Sequence, residues 1–172
     1  MLPNKRGLTL VELVLLVGLM LILGAVALWA INPGERVRQA RDEKRLTDLA
    51  SVRNAIEAAV SANIPLGSTF GVPSSTVGGE ATRKVDGSGW VPMNLSVQLS
   101  SLPVDPLDGR TFTDALGSKV LGEYQFISDG KYYVLRTHLE AEKNRSKYKE
   151  DGNDNTWYEI GSAPGLSTHF GL

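Results

Sequence analysis

The chain of 172 residues contains no cysteine. That excludes a disulfide, a thiolate metal site and a cysteine nucleophile. If exported, the protein holds together by packing and hydrogen bonds alone. Only two histidines are present, His138 and His169, in different segments. A paired-histidine metal site or a histidine-based triad therefore has little basis. No G-x-S-x-G, Walker loop, H-E-x-x-H or G-x-G-x-x-G is found, so the common hydrolase, nucleotide and zinc-protease signatures are missing. Strong charge of either sign is lacking too: the formal net charge is −1, which does not favour a polyanionic partner.

What the sequence does have is an uncharged run over residues 13–31. With residues 8–12 it makes an apolar segment over 8–31. As a helix this would be roughly 36 Å long, enough to cross a hydrocarbon core of about 30 Å. It is apolar on every face, which suits lipid or other helices as surroundings. Gly18 and Gly24 are not spaced as a small-xxx-small pair. Trp29 is placed to anchor the far interface. Asn32-Pro33-Gly34 follows and predicts a break. A cleavable secretory signal is the rival reading, with Ala25-Val26-Ala27 as an A-x-A site. Against it, the uncharged run exceeds the usual apolar core of about 7–15 residues, and Glu12 puts an anion in it. A charge at a helix centre costs roughly 2.5–3.5 kcal/mol on the insertion scale, less near the end. Neither an ordinary signal nor a plain anchor gains from that.

Beyond the break, residues 35–62 lack glycine and proline and are rich in helix formers. Leu46, Leu49, Val52, Ile56 and Val60 form one apolar stripe, which needs a partner surface. Opposite charges fall four apart at Arg38/Asp42, Lys44/Asp48 and Arg53/Glu57 and read as a solvated face. The interleaved acids break up any positive patch for DNA, so nucleic acid is not an expected partner. Asn63, Pro65 and Gly67 end the helix.

Residues 64–172 read as one head domain, net −3 once residue 64 is passed. Its first part is Gly-, Ser- and Thr-rich loop. Residues 81–85 and 90–93 predict a small hairpin around Asp86-Gly87 and Ser88-Gly89, and residues 94–101 a helical turn. Residues 123–128 and 131–139, around Asp129-Gly130, carry the strongest hairpin signal. A last strand is expected at 156–160. Tyr132, Tyr133, Trp157 and Tyr158 suit a core or sheet face. The fold class expected is α+β, with a long N-terminal helix packed on a small antiparallel sheet. The loop Asp151-Gly152-Asn153-Asp154-Asn155 is rich in oxygen ligands, and Asp151, Asn153 and Asp154 are its candidates for calcium. EF-hand spacing is absent, and such clusters commonly serve as turns.

Gly7 followed by Leu8-Thr9-Leu10-Val11-Glu12-Leu13 resembles the processing site of type IV pilins and type II secretion pseudopilins. The resemblance implies a leader, residues 1–7, cut after Gly7 by a membrane aspartyl peptidase that methylates the new N-terminus on Leu8. The family usually has phenylalanine at that place. It implies a pilin-like fold, with residues 8–31 as membrane and filament-core helix, 32–63 as the amphipathic continuation and 64–172 as the head. It also implies the function of a structural subunit with no reaction of its own. Its partners would be further copies, minor pilins, the prepilin peptidase, an inner-membrane assembly platform and lipid. Glu12 would then meet the amine created by processing, most often a neighbouring subunit's, and the two charges offset each other's burial. Residues 102–109, Leu-Pro-Val-Asp-Pro-Leu-Asp-Gly, are similar to a Leu-Pro-x-Asp-Pro loop of major pseudopilins, and secretion pseudopilins can hold calcium in their heads. Otherwise no cofactor is expected. Arg36, Arg38, Arg41, Lys44 and Arg45 outnumber Lys5 and Arg6, so a positive-inside count turns the segment around. The motif, not the count, implies a cytoplasmic N-terminus and an extracytoplasmic head. An anchored binding module without filaments, and a domain released after Ala27, remain the alternatives.

Overall fold

The computed structural model describes residues 7–150 and 155–172. They divide into two compact units, one reaching to Val37 and the other Arg38–Leu172.

Helix α1 spans Leu10–Ile31. Thr9 caps it from an extended conformation, its Oγ1 accepting from the Glu12 backbone N–H at 3.3 Å. Along α1, Leu10 is 79% and Met20 72% exposed, and among the described residues none of its large apolar side chains is buried. It ends at Asn32, whose φ of 43° is left-handed. One residue thus serves two helices. The Asn32 side chain also accepts from Glu35 N–H at 3.4 Å, and Pro33 opens α2, where a fixed φ and a missing donor cost nothing.

Helix α2 spans Pro33–Ser61. From Asp42 onward it buries one stripe: Asp42, Arg45, Leu49, Val52, Ala55, Ile56 and Ala59. Leu46 is only half-buried and Val60 is exposed, so the expected stripe is rotated by about one residue at its ends. Asn63, at φ 62°, turns the chain out of the helix, with Ile64 N–H on Ala59 O at 3.0 Å.

Four antiparallel strands form the main sheet in the order β1-β4-β5-β6: β1 Ser74–Ser75, β4 Gln125–Ser128, β5 Tyr133–Thr137 and β6 Tyr158–Gly161. The β4–β5 hairpin around Asp129-Gly130 and the last strand follow the sequence expectation. β2 Thr111–Thr113 and β3 Lys119–Leu121 form a separate ribbon that the sequence did not announce. The hairpin expected at 81–93 is not one. Residues Gly79–Arg83 make a 3-10 turn, and one bridge joins Asp86 to Asn94. Turn signals there serve a coil that wraps onto the core.

The sheet is covered on both faces, alternate residues of its strands entering two separate clusters. Phe126 and Leu135 pack with Leu49, Val52 and Ile56 of α2 and with Trp90, Leu95 and Leu102 from the coil. Ile127 and Val134 face the other way, against Leu166 and Phe170 of the C-terminal 3-10 turn Leu166–Phe170.

Candidate functional site

Two places bear on function. The first is the start of α1. Gly7 has nothing within 4 Å of where a Cβ would sit, and Leu8 is 63% exposed. Glu12 lies three residues after the cap Thr9, the spacing of half a capping box, with the carboxylate in the first helical turn where the dipole favours an anion. The sequence reading missed this local role, although Thr9-x-x-Glu12 carries its signature. Among the described residues the Glu12 carboxylate has no ionic partner. Lys5 and Arg6 of the expected leader, and the Trp29 side chain, lie outside what is described. So do Asp151, Asn153 and Asp154. Among the described residues no three His, Asp or Glu side chains gather as metal ligands. The histidines work separately: the His138 ring lies against Trp157, tilted by 33° with ring centres 3.7 Å apart, and His169 Nε2 lies 3.0 Å from Asp129 Oδ2.

The second place is a charge cluster within the head unit, and it corrects the reading of α2 as solvated there. Asp42 and Arg45 are fully buried. Arg45 donates through Nε and Nη2 to both oxygens of Asp105, at 2.7 and 3.0 Å, and through Nη1 to Asp42 at 2.9 Å and Glu140 at 2.6 Å. Arg41 adds a two-pronged pair to Glu140 at 2.8 and 2.5 Å. The second oxygen and remaining lone pairs of Asp42 accept from the backbone N–H of Glu140 and Ala141 and from Asn144 Nδ2, at 2.8, 2.9 and 2.7 Å. The Phe112 ring lies 4.7 Å from the Arg45 guanidinium carbon. Two loops distant in sequence, around residues 105 and 140, are thereby tied to one helix.

Electrostatics follow from this geometry. Burial works against the Arg45 charge, but Asp105 and Glu140 outweigh it and raise its pKa further. Burial likewise opposes the Glu140 charge, yet Arg41 and Arg45 hold that carboxyl below its ordinary value. Removing one partner of such a buried set strands a charge, at a cost of about 3–5 kcal/mol. Of the pairs expected four apart, Lys44–Asp48 forms at 3.0 Å and Arg53–Glu57 at 2.7 Å. Asp42 is committed instead to the buried cluster. Its signal was in the sequence, since Asp42 and Arg45 continue the three-and-four spacing of Leu49, Val52 and Ile56 upstream.

Comparison with protein-family models, with curated proteins and with solved structures yields no match for this chain.

Proposed function

We propose that this chain is a structural subunit of a type IV pilus-like or type II secretion pseudopilus filament, held in the cytoplasmic membrane through α1 before assembly. The observation that carries the reading is a helix of 22 residues whose large apolar side chains are exposed wherever they are described, with one carboxylate in its first turn, just after Gly7. At about 33 Å such a helix matches the hydrocarbon thickness, and on assembly the same surface would form a filament core. The pilin-like fold, cleavage after Gly7 and methylation of Leu8 belong to this proposal, as do the peptidase, platform and minor-subunit partners. The head, with its own core, would decorate the outside and carry no reaction. A self-sufficient core also suits the second reading, an anchored binding module that does not polymerise.

Mass spectrometry of the mature N-terminus separates these readings. The filament reading expects a methylated Leu8; an intact Met1 means plain anchoring, and a start at Leu28 means ordinary secretion. Glu12 gives an independent check that also weighs its capping role. Glutamine keeps the capping chemistry but not the charge. If the charge meets an amine in the membrane, Glu12→Gln lowers filament yield as far as Glu12→Ala does, by about tenfold or more, since the cost of a stranded charge near the helix end is below the 2.5–3.5 kcal/mol of the helix centre. Normal yield from Glu12→Gln would reduce the residue to a cap.

A further inference from the structure

The chain ahead of α1 changes conformation at one residue. Thr9 has φ −73° and ψ 154°, which is extended backbone, whereas helical residues have ψ near about −42°. Its carbonyl accepts a bond of the helical ladder, from Leu13 N–H at 3.0 Å. Its Oγ1 accepts from Glu12 N–H at 3.3 Å. Gly7 and Leu8 thus stand ahead of the ladder, in no regular element. Among the described residues nothing lies within 4 Å of a Cβ placed on Gly7, and Leu8 is 63% exposed.

Composition alone would let the helix begin earlier. Leu8, Arg6 and Lys5 are good helix formers, and Asn4 is a suitable upstream cap. Only Gly7 resists, and a single glycine is tolerated in a helical pattern. In apolar surroundings an unsatisfied N–H is costly, so a helix without its cap gains by extending to the next one. Extension by one turn would bind Glu12 N–H to Leu8 O and Val11 N–H to Gly7 O. The second of these is the carbonyl of the bond that the proposed processing cuts. With Thr9 Oγ1 taking the Glu12 N–H, the helix stops short of that bond.

We infer that Thr9 is a positioning residue for cleavage after Gly7: by capping α1 it holds the Gly7–Leu8 bond in extended chain, with its carbonyl outside the helical ladder. The inference rests on the cleavage reading above. An extended segment offers its backbone groups to a partner as a strand does, and a helical one has already used them. In the cut, water adds to the Gly7 carbonyl carbon and the C–N bond to Leu8 breaks. The products are a Gly7 carboxylate and a Leu8 ammonium, the leaving nitrogen having taken up both protons of the water. Thr9 takes no part in these bonds. Its contribution is the fraction of precursor already in the conformation that can be bound.

The full-length precursor in detergent micelles is incubated with a membrane aspartyl prepilin peptidase, and conversion is followed by mass. Thr9→Ala removes the cap and favours helix through Leu8, so KM is expected to rise about fivefold with kcat unchanged. Thr9→Ser and Thr9→Asn keep the cap and should be cut as the parent is. Asparagine has no hydroxyl, so it separates capping from recognition of threonine by the enzyme. Thr9→Asn as slow as Thr9→Ala, or Thr9→Ala cut at the parent's rate, overturns the inference and leaves cleavage after Gly7 standing. A parent chain that keeps Met1 removes the cleavage reading and the inference with it.

Discussion

Arg45 shows what a single residue decides here. A guanidinium with no exposed surface is tolerable only because three carboxylates surround it, and the Asp42 carboxylate is further satisfied by backbone and amide donors. The sign of the resulting pH dependence is defined by Glu140. Its folded pKa lies below the ordinary 4.5, so its stabilisation is present above that value and is lost as pH falls through the lower, folded one. Thermal melts of the full chain in detergent should thus be flat near neutrality and fall steeply below about pH 4. Glu140→Gln should melt lower at pH 7 and show a shallower acid slope. Parallel acid slopes for the two proteins would mean that the carboxylate's pairing with Arg41 and Arg45 does not control acid stability.

At the scale of elements, the sheet depends on close approach between strands as much as on its side chains. Gly161 of β6 stands opposite Val134 of β5. A Cβ there would overlap Tyr133 O and come within 2.8 Å of Val134 Cα, both backbone atoms that cannot rotate away. Gly161→Ala is expected to destabilise the head by about 1–3 kcal/mol. Gly34→Ala is the control: its Cβ meets nothing nearer than Asn32 Oδ1 at 3.8 Å, and it lies outside the head unit, so melting of the head should stay at the parent's value. Equal melting of Gly161→Ala and the parent would show that β6 can shift away from β5. The helices make the same point differently. The break at Asn32 and the exit at Asn63 rest on left-handed backbone that asparagine adopts more readily than most residues.

At the scale of the molecule, the two units obey opposite rules. Arg38–Leu172 buries its apolar residues around α2 and the sheet, and α1 buries none of its described ones. A helix with that surface has no stable place in water. In cell fractionation the full chain should stay with membranes through high salt and carbonate and leave only with detergent, whereas a chain lacking residues 1–37 should be soluble. Release of the full chain by carbonate would argue against a spanning helix.

The sequence by itself determined the long apolar helix, the break after it, the apolar stripe of α2 and the central hairpin. Each of these depends on periodicity or on turn residues within a few positions. Local spacing also carried Thr9-x-x-Glu12, a cap legible without any tertiary contact. Only the tertiary structure decided that Arg45 meets Asp105, 60 residues away, and Glu140, 95 away: the helical spacing of Asp42 and Arg45 marks them as stripe positions, but no local pattern names partners that far along the chain. The β2–β3 ribbon and β1 likewise escaped, being strands of two or three residues without a period to read.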